Sequence, residues 1–336
     1  MGALRRANSC DQSFDNLNIM RGIVILGILS SALLGCSASS HPASTVSVDE
    51  GHDSDSMPAP SSQVVEGSEQ MAFTGGNITD IVTLPYEGVS AHLEVVGSGY
   101  RLFYASLTEG GQVVSMCDAG FSCENQAVLQ RMSDFTVIET GSGERRGFWV
   151  EMNPESGMKE IYTGAVSSDG TIISDRDSLG FSGDISWGVP DAVTLPDGRV
   201  RVFWVEPGVG RASERIVSAT SVGPAGRDFE RDPGSRLEGG WVDFEVLSAE
   251  NGDWLAVMST SPETLPETPQ GIFLANSSDG LEWTVHEVSM TPSDQSYLDP
   301  TGVKNSDGSY TLIMSFAPNS LGTRDYQLAS ATLNVE

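Results

Sequence analysis

The sequence predicts an all-β fold, a five-bladed β-propeller, on three observations. An apolar, aromatic-rich strand core recurs about every 50 residues from residue 88 to the end of the chain. Each recurrence follows a Gly-containing turn and precedes a longer loop and one or two further strands. Helical periodicity is absent, and 37 Gly and 16 Pro mark frequent turns. A two-sheet sandwich could hold as many strands but would not explain the repeat.

The leader comes first in the chain. Residues 23–34 form an apolar stretch preceded by Arg21, which reads as the h-region and n-region of a signal peptide. It is shorter than the roughly 20 residues needed to cross a bilayer as a helix. Its end, Leu33-Leu34-Gly35-Cys36, resembles the bacterial lipobox, which implies lipidation of Cys36 as the first mature residue. Ser37 at the following position implies sorting to the outer membrane in a Gram-negative cell. Translation could start at Met1 or at Met20. Residues 1–35 are thus expected to be the leader and 36–70 a tether. The tether is rich in Ser, Pro, Ala, Asp and Glu without Lys or Arg, so it cannot bury a core and is expected to be disordered.

The repeats fill residues 71–336. Their cores are Tyr100–Tyr104, Arg145–Val150, Arg199–Trp204, Asp253–Met258 and Ser309–Met314. Apolar runs of three or more residues fit strands covered on both faces. Unit five runs out after Tyr326–Asn334, and Ile78–Leu84 is placed to supply its missing outer strand. Cys117 and Cys123 bound a short loop and are expected to form a disulfide outside the cytoplasm. Two thiolates without a nearby His make only half a zinc shell. Ser277-Ser278-Asp279-Gly280-Leu281-Glu282-Trp283 reads as a tight turn whose Trp packs back between blades. Ser167–Ile173 is a worn copy.

Charge narrows the function. The chain carries 18 Lys plus Arg against 46 Asp plus Glu, a net charge of −28. This charge argues against nucleic acid and against direct electrostatic docking on anionic lipid as partners; membrane contact is expected through the lipid anchor only, and the protein is expected to be a monomer. No Gly-x-Ser-x-Gly elbow, His-Glu-x-x-His pair or phosphate-cradling Gly loop is present. An Asp does recur near the start of the first strand in four units, at Asp134, Asp191, Asp243 and Asp299. The Gly of the following turn lies 9, 7, 9 and 9 residues on (134 to 143, 191 to 198, 243 to 252, 299 to 308). First strands line a propeller's channel, so these carboxylates are expected to converge and to raise one another's pKa. Trp187, Trp241 and Tyr297 lie just upstream, where rings could stack on a sugar.

The Ser-x-Asp-Gly-x-x-Trp turn and the Asp pattern resemble the five-bladed glycosidases of the arabinanase, xylosidase and invertase type. The turn is more loosely similar to the sialidase Asp-box. The resemblance implies carbohydrate as partner. It also implies an Asp as base or nucleophile, a second Asp that tunes it, and a Glu as general acid, each from a different blade. By position the Asp roles would fall on Asp134 and Asp191 and the acid role on Asp243 or Glu245, with Asp299 lining the substrate site. Unit one departs from this pattern, with Ala91 standing where Asp191 stands in unit three and His92 beside it. Two other readings of the Asp ring stay open. The carboxylates could cap blade edges by accepting backbone N–H bonds. They could equally hold Ca²⁺, although no cofactor is required. The two functional expectations are therefore a glycoside hydrolase and a non-catalytic glycan- or protein-binding scaffold.

Overall fold

The computed structural model describes residues 73–106, 108–181, 188–208, 214–250, 252–262, 269–291, 295–318 and 326–336. All regular structure among them is β. The first strand, β1 (Gly76–Glu87), belongs to the last blade. Blade one follows as β2 (Val89–Val96), β3 (Gly99–Ser106), β4 (Gly111–Cys117) and β5 (Cys123–Gln130). Blade two is β6 (Ser133–Glu139), β7 (Arg145–Met152), β8 (Lys159–Val166) and β9 (Ile173–Ser178). Blade three is β10 (Gly188–Thr194), β11 (Val200–Pro207), β12 (Glu214–Ser221) and β13 (Phe229–Arg231), with the two-residue β14 (Leu237–Glu238) also on β12. Blade four is β15 (Trp241–Glu250), β16 (Asp253–Thr260), β17 (Ile272–Ser277) and β18 (Thr284–Met290). Blade five is β19 (Gln295–Lys304), β20 (Tyr310–Pro318), β21 (Gln327–Val335) and then β1.

Within each blade the strands are antiparallel neighbours. The inner strands β2, β6, β10, β15 and β19 each touch the next, and β19 touches β2, so the ring closes. Closure runs through β1, which pairs antiparallel with β21 from Gly76↔Val335 to Glu87↔Gln327. At its start β1 also lies parallel to β18, joining blades four and five into one sheet. The strand predicted at Ile78–Leu84 thus completes blade five.

Five apolar clusters fill the five seams between blades. Phe103, Val114 and Leu129 of blade one meet Phe135, Val137 and Trp149 of blade two. Leu255, Val257 and Leu274 of blade four meet Tyr310, Leu312 and Leu333 of blade five. Each blade is a sheet sandwiched between two others, which is why its middle strands are apolar on both faces. In β11 every residue from Val200 to Glu206 is buried.

Both turn signatures form as expected. Asp279 Oδ1 accepts the amides of Leu281 (2.8 Å) and Glu282 (3.0 Å), and Ser277 Oγ accepts that of Gly280 (2.9 Å). Trp283 then lies 4.9 Å from Phe244 and 6.3 Å from Phe203, in the seam between blades three and four. Cys117 and Cys123 face each other across β4 and β5 and are disulfide-bonded.

Candidate functional site

The channel is built by one local device used five times. Each inner strand carries a bulge, where the register slips between Val89 and His92, Ser133 and Thr136, Gly188 and Asp191, Val242 and Glu245, and Leu298 and Thr301. The first residue of each bulge takes a left-handed backbone: Ser90 (φ 51°), Asp134 (54°), Val189 (43°), Asp243 (54°) and Asp299 (47°). Asp tolerates this conformation better than most residues, and β-branched Val tolerates it poorly. The bulge re-aims two side chains per blade into the channel.

The register corrects the simple Asp alignment. Asp134, Asp243 and Asp299 are equivalent, but their counterpart in blade three is Val189. Asp191 lies two residues on, paired with Phe203, as His92 pairs with Phe103, Thr136 with Phe148 and Glu245 with Val257. His92, not Ala91, therefore stands where Asp191 stands. The short count of 7 from Asp191 to its turn was the sequence signal of this shift.

The two sets of positions form two tiers of hydrogen bonds, the first bridging every seam but that of blades three and four, the second every seam but that of blades five and one. In the first, Ser90 Oγ donates to Asp134 Oδ1 (2.6 Å) and the Val189 amide donates to the same carboxyl. The Asp299 amide donates to Asp243 Oδ2 (3.1 Å) and the Ser90 amide to Asp299 Oδ2 (3.0 Å). Ser259 Oγ also donates to Asp243. In the second tier, the Val137 amide donates to His92 Nε2 (3.4 Å) and Thr136 Oγ1 to Asp191 Oδ1 (3.4 Å). The Val246 amide donates to Asp191 Oδ2 (2.8 Å), and Thr301 Oγ1 and the Gly302 amide donate to Glu245. Because His92 Nε2 accepts, its proton sits on Nδ1, which lies 3.3 Å from Thr136 Oγ1 and 4.0 Å from Glu245 Oε1.

Burial sets the electrostatics. It pushes the carboxyls of Asp134 and Asp243 above the usual carboxylate range and that of Asp191 to about 7. Glu245 is driven well up by burial and by Asp191, and Asp299 by burial and by Asp243 and Asp134. Burial also lowers His92, and it lowers Lys159, whose charge acts on Asp134.

A funnel of about 320 Å³, counting its opening to solvent, lies between Ser90, Asp134, Thr136, Asp191, Glu245 and Asp299. Leaving out that opening, it has room for about one ordered water. All four predicted Asp residues and Glu245 line it. Ser90, Thr136 and Val189 line it as well, and no composition signal pointed to them. Trp241 is half-buried with its ring edge-on to Phe273 at 5.0 Å. Tyr297 is 3% exposed and packed in the seam between blades four and five. Trp187, the Cys36 motif and the tether lie outside the described residues. Among the described residues no three His, Cys, Asp or Glu side chains are placed to share a metal ion, and the channel carboxylates are already engaged by protein donors.

No protein-family model and no curated protein sequence matches the chain. Solved structures do. A thermostable family-43 glycoside hydrolase matches with a TM-score of 0.58 at 13% identity, over 76% of this chain and 91% of its own. An endo-arabinase from Bacteroides thetaiotaomicron gives 0.57 at 13% identity, over 79% of this chain and 98% of its own. A xylan β-1,4-xylosidase from Bacillus halodurans gives 0.55 at 11% identity over 79% of this chain, which spans only 54% of that enzyme. At these identities the likeness is one of fold, and the fold is the five-bladed β-propeller.

Proposed function

We propose that the protein is a lipid-anchored propeller that binds carbohydrate at the mouth of its channel, with the channel carboxylates serving the ring and not turnover. The observation that carries this reading is the double tier of hydrogen bonds across the seams. Asp134, Asp191, Asp243, Glu245 and Asp299 each accept a backbone N–H from the neighbouring blade. A carboxylate so engaged, lining a funnel with room for about one water, is built to hold blades together. The glycosidases of the same fold support sugar as the ligand, and Trp241, partly exposed two residues before the channel residue Asp243, is the aromatic ring proposed to meet it. The Leu33–Cys36 motif and the acidic tether support lipidation and display from the outer membrane.

A hydrolytic reading has one observation in its favour. Glu245 is pushed toward its protonated form beside Asp191, which titrates at about 7, and that is an acid and a base set apart by their surroundings. The purified protein, Trp241→Ala and Asp191→Asn are to be tested against a panel of arabino-, xylo- and other oligosaccharides, by calorimetry and by product release. Saturable binding without product, weakened about tenfold or more in Trp241→Ala, is expected. Product formation that Asp191→Asn abolishes would establish the hydrolase instead. Silence toward every sugar would remove carbohydrate from the account.

A further inference from the structure

Strand β1 is joined to blade one through Gly88, yet it completes blade five by pairing with β21. Its grip on β21 is interrupted close to that joint. The ladder reaches Thr83↔Ala329 and resumes at Glu87↔Gln327, so Leu84, Pro85 and Tyr86 stand against the single residue Leu328. Leu84 packs with Ile313 and Leu328 in the seam of blades five and one. Pro85 has no N–H to give a ladder. Tyr86 is held from the other side of the seam. Its hydroxyl donates to the Phe121 carbonyl (3.0 Å) and accepts the Cys123 amide (2.8 Å). Both groups belong to the loop of blade one that the Cys117–Cys123 disulfide closes.

The loop is shaped to present those two groups. Asp118 Oδ1 accepts the amides of Gly120 and Ser122, each at 2.9 Å, and the Asp118 amide donates to the Ser122 carbonyl (3.1 Å). Phe121 takes a left-handed φ of 59°, uncommon for a bulky residue, and its ring stacks on Tyr100 at 4.8 Å. Cys117 and Phe121 are buried in the same apolar cluster as Leu84, with Tyr86, Tyr100 and Cys123 packed against it. The disulfide therefore ties off a loop whose contacts reach the closing strand.

We propose that the Cys117–Cys123 disulfide is an oxidation-set lock on ring closure: it fixes the loop that clasps Tyr86, and the clasp holds β1 on the course along which β21 pairs with it. The lock is set by thiol–disulfide exchange. One cysteine thiolate attacks a sulfur of an exchanging disulfide and releases its first thiol. The second cysteine thiolate then breaks the mixed disulfide and releases the other thiol. Two electrons and two protons pass from the cysteines to the donor, which leaves as two thiols. Such donors act outside reducing compartments, so the ring is fastened there. With both cysteines reduced, only the turn's own hydrogen bonds shape the loop, and its hold on Tyr86 weakens. The lock requires neither a sugar nor a lipid anchor.

The test is hydrogen exchange on the purified full chain, oxidised and reduced with dithiothreitol, beside Tyr86→Phe treated in the same way. Reduction is expected to lower the protection of β1 amides from Gly76 to Thr83 by about tenfold or more relative to amides of β11. In Tyr86→Phe the oxidised protein already shows the lowered protection, and reduction adds little to it. The fall in Tm on reduction is correspondingly larger in wild type than in the variant, by about 3 °C or more. A disulfide that serves only its own hairpin gives a different result. Protection of β1 would then be untouched by reduction, or would fall equally with and without the Tyr86 hydroxyl, and either outcome would overturn the lock. Where thiol titration shows that dithiothreitol leaves the bond closed in the folded protein, the double variant Cys117→Ala with Cys123→Ala stands in for the reduced protein. The same two outcomes then decide.

Discussion

Asp134 combines two tasks that few side chains can share. It sits at a left-handed φ of 54° and accepts hydrogen bonds from Ser90 Oγ on one side and the Val189 amide on the other. Removing the carboxyl leaves both donors buried without a partner, at about 1–3 kcal/mol each. Asp134→Ala is expected to lower unfolding stability by about 2–4 kcal/mol, and Asp134→Asn, which keeps an acceptor and tolerates the backbone, by far less. Urea unfolding of the two variants checks this, and equal losses would mean that charge, not acceptance, is what matters there. The recurrence of Asp was legible in the sequence. Its purpose was not, because a catalytic carboxylate and a blade latch are the same residue type at the same place. His92 shows the same limit, since burial in the channel wall lowers its proton affinity and the amide that reaches its Nε2 belongs to the next blade.

At the scale of strands and turns, the second-strand arginines find their role. Arg101, Arg146 and Arg201 are buried, and each lies under the outer turn of the next blade. A Cβ on Gly170 would come within 3.0 Å of Arg101 Cδ, one on Gly226 within 3.4 Å of Arg146 Cδ, and Arg201 Nη1 donates to the Asp279 carbonyl at 3.1 Å. These arginines clamp turns and do not face the channel. The Ser277–Trp283 turn is the tightest of these contacts. Gly280 has φ +69°, and a Cβ there would lie 2.7 Å from the Trp254 ring. Gly280→Ala is therefore expected to destabilise the fold by about 2 kcal/mol or more, read as a fall in the urea midpoint with unchanged slope. The Asp-Gly turn could be read from the sequence, but the arginine beneath it could not, because the two lie in different repeats.

For the whole molecule the decisive element is β1. It gives blade five its fourth strand, pairs with both β21 and β18, and buries Ile78 and Leu84 in the two seams that flank the closing blade. Deleting residues 73–87 is expected to lower Tm by about 10 °C or more, or to leave the ring open and aggregating through the bared edge of β21. Thermal unfolding and size-exclusion chromatography check this. A truncated protein that keeps its Tm would show that three strands suffice to close the ring.

The sequence by itself determined the blades. The repeat near 50 residues, the doubly apolar strands, the Asp-Gly turn and the Cys117–Cys123 pair are local patterns, and local sterics and hydrophobicity act on them within a few residues. Even the outer strand of blade five was visible as an apolar segment without a unit of its own. Only the tertiary structure decided what the channel residues do. Asp191 sits two places past Val189, the bulge residue equivalent to Asp134, Asp243 and Asp299, and the ring hands each of these carboxyls an N–H from another blade. Their burial, their raised proton affinity and their function as fasteners come from partners about one blade away in the chain or, for Asp299 and Ser90, 209 residues away across the ring closure, and no spacing within a single repeat encodes them.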